Sequence, residues 1–420
     1  MPPETAFKLT ANNILTCFRS PDLCNCKVNK ALLKLILKKA KEKKLDNPRP
    51  LEIEKMGLKK GGVMRRCLLV VILVTSVFVH GARAADNGGF LSTLEDSPLA
   101  EKAVAKYVNL FTDTLRKPFA LWLARSSQYT QAMRRILSEN NIPGDIVFLS
   151  MIESGFNPYA RSRASAVGPW QFMYATAKKY GLKINWWIDE RRDPIKSTIA
   201  AAMYLNNLHD IFGSWGLAMA AYNAGEGAIQ HAVRTERADS FWGLYRTESI
   251  KTETSNYVPK FLAASTIALN PKSHGFTGID YRSRLSYDEV VIWRPLDLGV
   301  AARCADASVG TIRALNPELT RWCTPLDVKA YILRIPKNTL MTFLDNLGRL
   351  SPEQRLPLRS YTAGRRDTLY GIARRFGLPS VVIAELNNLN TRRSRRFIRR
   401  GQKILLPPRQ YRSLCMVASR

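Results

Sequence analysis

Acidic residues are scarce in this chain: 34 Asp+Glu stand against 64 Lys+Arg, a formal net charge of +30. Setting aside the 17 basic and 6 acidic residues of positions 1–84 leaves 47 against 28, so the excess is not confined to the first segment. A balance of this sign calls for an acidic partner: nucleic acid, anionic lipid or an anionic polymer. Histidine is scarcer still. The four, His80, His209, His231 and His274, show no ligand spacing, and no phosphate loop or Ser/His pair is evident, so no metal and no cofactor is expected. Of seven cysteines only Cys304, Cys323 and Cys415 follow residue 84, and Cys24-x-Cys26 lacks a second pair at zinc spacing. Long apolar runs are missing as well. Cys67–Val79, thirteen largely apolar residues, is too short for a comfortable transmembrane helix.

What is present bounds the architecture. A length of 420 residues with 46% apolar content predicts two or three packed units. Residues 1–63 show no domain pattern and read as an extension upstream of the true start, at Met56 or Met64. Residues 64–84 then read as a signal peptide: Met64-Arg65-Arg66, the apolar run, and Ala82-Arg83-Ala84 as an A-x-A cleavage site. Export is the expectation, to the periplasm or cell envelope of a bacterium; an uncleaved anchor, and with it membrane association, is the alternative. Export disfavours nucleic acid as the partner, and no oligomer is expected. An oxidising compartment permits a Cys304–Cys323 bridge, with two buried thiols as the other reading.

Residues 99–270 show helical spacing and no strand alternation. Helices are predicted over Ala100–Thr114, Pro118–Asn140, from Asp193-Pro194 to Phe212 before Gly213, over Trp215–Asn223 and over Ser255–Ala268. Within this region Leu149–Met173 carries one acid. Glu153 follows the apolar run Ile146–Leu149 and precedes Gly155, which places it in the last turn of a short buried helix. Burial and the negative end of the helix dipole both favour the neutral acid, able to donate a proton. Asp145, eight residues earlier on the same predicted helix, would lie roughly 12 Å away, too far to share one scissile bond. Asp189, Glu190 and Asp193, beside Arg191 and Arg192, read as a solvated turn.

Four ordered motifs, Glu153-Ser154, Gly168-Pro169-Trp170-Gln171-Phe172-Met173, Ala221-Tyr222-Asn223-Ala224-Gly225 and Tyr257-Val258-Pro259, resemble those of the soluble-type lytic transglycosylase domain. The resemblance implies a mainly α, goose-type-lysozyme-like catalytic domain acting on peptidoglycan. It makes Glu153 the catalytic acid/base and Tyr257 the residue that orients it. Ser154, Ser162, Gln171, Met173, Tyr222 and Asn223 become substrate-binding residues. The same residues have plainer readings: Gln171 and Asn223 could satisfy buried backbone groups, and Trp170, Met173, Tyr222 and Tyr257 could be core. Two positions depart from the pattern, Ser165 where glycine is common and Pro169-Trp170 in place of Leu-Met. A single acid suffices if the substrate assists through its N-acetyl group or its 6-hydroxyl; the second route, implied by the family, leaves a 1,6-anhydromuramic end. A water-using muramidase and a non-catalytic peptidoglycan-binding protein are the alternatives.

The last third contains a repeat. Leu298–Pro336 aligns without a gap on Leu369–Pro407 at an offset of 71, pairing Asn316 with Asn387 and Ile335 with Leu406. Each copy predicts strand, helix, helix, strand: a small α+β (βααβ) unit. The second, 358–408, resembles a LysM domain that binds N-acetylglucosamine-containing glycans, implying Asp367, Thr368, Asn387 and Asn388 as glycan-binding; turn chemistry is the other reading of Asn387-Asn388. The first, 288–337, resembles a degenerate relative that serves as a spacer, with a linker at 338–357. The cluster Arg392–Arg400 reads as a solvated face that also attracts wall carboxylates.

Overall fold

A computed structural model of the chain describes residues 91, 94, 98–387, 389 and 398–408, all within the compact unit Arg83–Arg420. The expectations for residues 1–84, for Asn388, for positions 392–397 of the arginine cluster and for Cys415 lie outside the described residues.

The first half is helical, as its spacing predicts. Pro98–Asn109 passes through a π-helical turn, Leu110–Thr114, into the long helix Arg116–Glu139. Pro194–Phe212 begins where Asp193 accepts from the amides of Ile195 and Lys196, has proline in its first turn and stops at Gly213 in the left-handed region. Trp215–Ala224 and Tyr257–Leu269 pack on these helices. Helices Tyr174–Lys179, Glu226–Glu236 and Phe241–Thr247 were not legible in the apolar pattern. One core unites them, with Phe119, Leu123, Met133, Trp170, Met219 and Phe261 among its buried members.

In the helical half two expectations are corrected, and of the two readings of Cys304 and Cys323 one is observed. The helix carrying Glu153 is not continuous: a 3₁₀ segment, Gly144–Phe148, precedes the α-helix Leu149–Ser154, and Asp145 on the 3₁₀ segment is buried against Arg134. The stretch Asp189–Asp193 is no solvated turn. Asp189, Glu190, Arg191 and Asp193 are all buried, because their charges are paired: Asp189 with Arg191 at 2.8 Å, Glu190 with Lys196 at 2.7 Å, and Asp193 with Arg334 at 2.9 Å. Finally, Cys304 and Cys323 are buried thiols with no disulfide between them. The Cys304 thiol is pushed up by burial, which keeps it protonated and inert.

Both copies of the repeat fold alike. β1, Tyr287–Ile292, pairs antiparallel with β2, Tyr331–Pro336; β3, Arg359–Thr362, pairs antiparallel with β4, Lys403–Leu406. Between the strands lie helices Leu298–Cys304 and Val309–Leu315 in the first copy and Leu369–Phe376 and Ser380–Leu386 in the second. Asn316 donates to the carbonyls of Ile312 and Arg334 and accepts from the Arg334 amide. Asn387 does the same with Ile383 and Leu405. An asparagine is the residue type that can give and accept at once, so it clamps the second helix to the closing strand in both copies. The segment 338–357, expected as a linker, folds into helices Leu340–Gly348 and Pro352–Arg355 with Phe343 buried.

The first copy is fused to the helical domain. Asp189 donates its amide to the Glu318 carbonyl, Thr320 donates its amide to the Trp187 carbonyl, and Trp187 packs at 5.6 Å on Trp322. Trp187 also donates its indole N–H to Glu385 of the second copy, so one side chain of the helical domain touches both repeats.

Candidate active site

Glu153 stands in the last turn of Leu149–Ser154, closed by Gly155 at φ 58. A glycine is required there twice over: a Cβ would strike the Trp122 ring at 2.1 Å, and the left-handed conformation is costly for any other residue. The Glu153 carboxylate accepts a hydrogen bond from the Tyr257 hydroxyl at 2.6 Å. Its pKa is pushed up to about 7; burial is the main cause, the Tyr257 bond opposes it, and the nearby charge of Glu253 adds to it. At neutral pH the group is therefore divided between acid and base. Tyr257 is itself buried, and burial followed by the Glu153 charge holds its hydroxyl well above the ordinary tyrosine range, so it stays a donor.

The loop 162–173 forms the wall beside this acid. Ser150 and Ser154 both donate to the Pro169 carbonyl, fixing the loop to the helix of Glu153. Trp170 is fully buried and donates to Thr198 at 2.8 Å, so it is core rather than a sugar platform. Gln171 adopts φ 47 and donates to the Gly168 carbonyl at 2.8 Å. Gly168, at φ 87, lets the backbone press on the Arg191 carbonyl, where a Cβ would come within 1.8 Å. Arg191, buried, donates to the carbonyls of Ser165 and Phe172 while Asp189 neutralises it. This strut holds both ends of the loop. It escaped the sequence reading because a run of alternating charges is ordinarily exposed, and no local signal marks its burial.

Tyr222 donates to the Trp170 carbonyl at 2.8 Å and feels the charge of Glu153; burial, then that charge, raises its hydroxyl. Asn223 accepts from Thr254. Met173 is exposed at the edge of the wall, 46% accessible. Ser162 accepts from the Ala166 amide and closes the exposed turn of the loop. Glu153, Tyr257 and Tyr222 are thus brought together, Ser154 and Gln171 serve the wall from behind, and Ser162 sits at its outer turn. Tyr204 and Tyr180 extend the aromatic row from Tyr222, with successive ring centroids 5.2 and 4.9 Å apart; the helical spacing did not single them out.

Ser165, which replaces a common glycine, adopts φ 67. A side chain there costs about 1 kcal/mol, partly offset by the freedom glycine has in the unfolded chain. Ser165→Gly is expected to stabilise the protein by about 0.5 kcal/mol in chemical denaturation.

Residues 133–244 match the model of the transglycosylase SLT domain family. Residues 286–352 match the lytic transglycosylase MltD LysM-like domain and 361–407 the LysM domain. The chain carries an SLT domain followed by two LysM-type domains. Membrane-bound lytic murein transglycosylase D of Escherichia coli (strain K12) is 32% identical over 292 residues, 66% of this chain and 61% of that one. The chain thus spans less than two thirds of that relative's length. A putative tributyltin chloride resistance protein of Alteromonas sp. (strain M-1) is 28% identical over 190 residues, 41% of this chain and 90% of the relative. Among solved structures, an inactive mutant of lytic transglycosylase Slt from Pseudomonas aeruginosa is similar at 25% identity, covering 34% of this chain and 24% of its own, with a TM-score of 0.30. The 70 kDa soluble lytic transglycosylase of Escherichia coli is similar at 21% identity, covering 44% and 32%, with a TM-score of 0.33.

In the C-terminal LysM domain three of the residues expected to meet glycan, Asp367, Thr368 and Asn387, have partners of their own. Asp367 accepts from Tyr361 and from the Gly364 amide and pairs with Arg375; the Tyr361 bond, then that amide, lowers its pKa. Thr368 caps Leu369–Phe376. Asn387 is occupied by the clamp described above.

Proposed function

We propose that this protein is an exported peptidoglycan lytic transglycosylase of the bacterial envelope. It cleaves the β-1,4 bond between N-acetylmuramic acid and N-acetylglucosamine with Glu153 as sole acid/base. One observation carries the reading: a half-buried carboxyl with a pKa near 7, oriented by the Tyr257 hydroxyl beside the wall loop. Glu153 protonates the glycosidic oxygen as the neutral acid. The resulting carboxylate then takes the proton from the muramic 6-hydroxyl, which attacks the anomeric carbon and closes the 1,6-anhydro ring. Asp145 is held by Arg134 and is not free to serve as a second carboxylate. The relative from Escherichia coli is named a murein transglycosylase, which supports the same substrate class here. The C-terminal LysM domain holds the glycan strand near the site, and Ser154, Ser162, Gln171, Met173, Tyr222 and Asn223 shape its bed.

Digestion of purified peptidoglycan followed by mass spectrometry of the muropeptides tests this. Muramic ends lighter by one water are expected. Reducing ends would replace the proposal with a muramidase, and absence of soluble product from folded protein would replace it with a binding protein.

A further inference from the structure

The segment 184–193 of the helical domain is shared between two cores. Ile184 packs against the core of the helices, whereas Trp187 and Ile188 are buried in the core of the repeats and Trp186 packs against it. The first repeat lays residues 318–320 along this segment. The Asp189 amide donates to the Glu318 carbonyl at 2.9 Å, Ile188 forms a bridge with Leu319, and Thr320 donates its amide to the Trp187 carbonyl at 3.0 Å and its hydroxyl to the Trp186 carbonyl at 2.8 Å. The same segment carries the strut of the wall. Asp189 holds Arg191, which donates to the Ser165 and Phe172 carbonyls, both at 3.2 Å. A second contact lies just before the wall loop, where the Tyr159 hydroxyl donates to the Arg313 carbonyl of the first repeat at 3.1 Å. From the loop, the bonds of Ser150 and Ser154 to the Pro169 carbonyl lead to the helix of Glu153.

We propose, on the reading of Glu153 as the acid, that the first repeat is a brace of the active site rather than a spacer, and that Arg191, Tyr159 and Thr320 are the positioning residues through which it sets the wall loop against Glu153. A spacer keeps a core of its own, whereas this repeat shares its core with the segment that bears Arg191. Without the repeat, Trp187 and Ile188 would stand in water and the segment would lose the burial that holds it in place. The Asp189–Arg191 pair would be solvated and weakened, and the Ser165 and Phe172 carbonyls would exchange a fixed donor for water. The loop depends on such donors because its backbone is not self-supporting: Ser165 and Gln171 sit at φ 67 and φ 47, in a region that non-glycine residues hold only when their surroundings impose it. Neither Tyr159 nor Thr320 is bonded to Glu153, Tyr257 or Tyr222, so their effect on the reaction is transmitted by the loop. A shift of about 1 Å in groups that position a substrate costs on the order of a hundredfold in rate.

The test measures kcat and KM of the full chain on soluble, uncross-linked glycan strands, together with sedimentation on insoluble peptidoglycan and circular dichroism at the assay temperature. Tyr159→Phe with Thr320→Val removes two hydroxyl bonds across the junction and keeps the ring and the side-chain volume. Its kcat should fall about fivefold with KM within about twofold of wild type, as loss of two hydrogen bonds that act through positioning allows. Thr320→Ser, which keeps the hydroxyl, should retain the wild-type kcat. Arg191→Lys keeps a cation beside Asp189 but cannot span both carbonyls, and should lower kcat about a hundredfold. Where Arg191→Lys does not fold, the hydroxyl pair decides alone. Sedimentation should be unchanged in every folded variant. A wild-type kcat in the folded hydroxyl pair would overturn the proposal, and so would equal losses in Thr320→Ser and Thr320→Val. Raised KM and weaker sedimentation at unchanged kcat would overturn it in favour of a repeat that holds glycan. A wild type that releases no product would strike the reading of Glu153 as well, whereas a wild type that cleaves beside variants that cleave equally fast would strike the brace alone.

Discussion

Glu153→Gln is expected to abolish muropeptide release, by about 10³-fold or more, while leaving sedimentation with peptidoglycan intact. The amide keeps the shape of the acid and can still meet the Tyr257 hydroxyl, but it has no proton to give the glycosidic oxygen. Its stability should change in the opposite direction. With a pKa near 7 against an ordinary 4.5, the folded protein holds a proton that the unfolded chain has already released. A raised carboxyl pKa contributes stability that is fully present below about pH 4.5 and is lost as pH rises through 7. Wild type therefore carries a cost at pH 8, on the order of 3 kcal/mol, that the amide does not. Thermal denaturation should show Glu153→Gln more stable than wild type at pH 8 and about equal at pH 4.5. An inactive variant that is also less stable at both pH values would mean that the glutamine disrupts the fold, and retained release would place the acid elsewhere.

Arg334→Ala is expected to destabilise the chain by about 3–5 kcal/mol, although the residue is no part of the candidate site. Arg334 is 7% exposed, Asp193 0% and Glu318 2%, so the guanidinium is the cation on which two buried carboxyls depend. Burial alone would lower the arginine, but the Asp193 and Glu318 charges more than reverse it. Glu318 is raised by burial and then by the charge of Asp193, despite the Tyr331 hydroxyl it accepts at 2.7 Å. Without Arg334 the Glu318 carboxyl, already raised by burial, loses a charge that lowers it and is forced further toward the neutral form, so the deficit of the variant should shrink as pH falls. Asp193→Asn in the Arg334→Ala background should recover part of the loss, because asparagine still caps Pro194–Phe212 without leaving a buried charge. Urea denaturation of the two single variants and the double variant measures the coupling; additive losses would show that the pair does not join the domains energetically.

How the chain reads depends on the range over which each signal acts. Asp193-Pro194 and Gly213 mark their helix because capping and proline geometry are settled within a few residues. Gly155 likewise fixes the end of the helix of Glu153. The 71-residue repeat was legible because its two copies keep the same apolar positions and the same asparagine. Arg191 was not, since nothing near it in sequence shows that it holds the Ser165 and Phe172 carbonyls. Trp187 was equally silent, because its partners Trp322 and Glu385 lie far along the chain.

By itself, then, the sequence determined the helical first half, the repeated βααβ units and the identity of the single candidate acid, since periodicity, caps and motif order are local. Tertiary structure alone decided that Arg191 holds the Ser165 and Phe172 carbonyls, that the charged stretch 189–193 is buried, that Cys304 and Cys323 are not bridged, and that the first repeat is welded to the helical domain. The physical reason is common to all four. The free energy of a charge or a thiol is set by which distant groups exclude water from it and pair with it, and that is known only once the chain has folded.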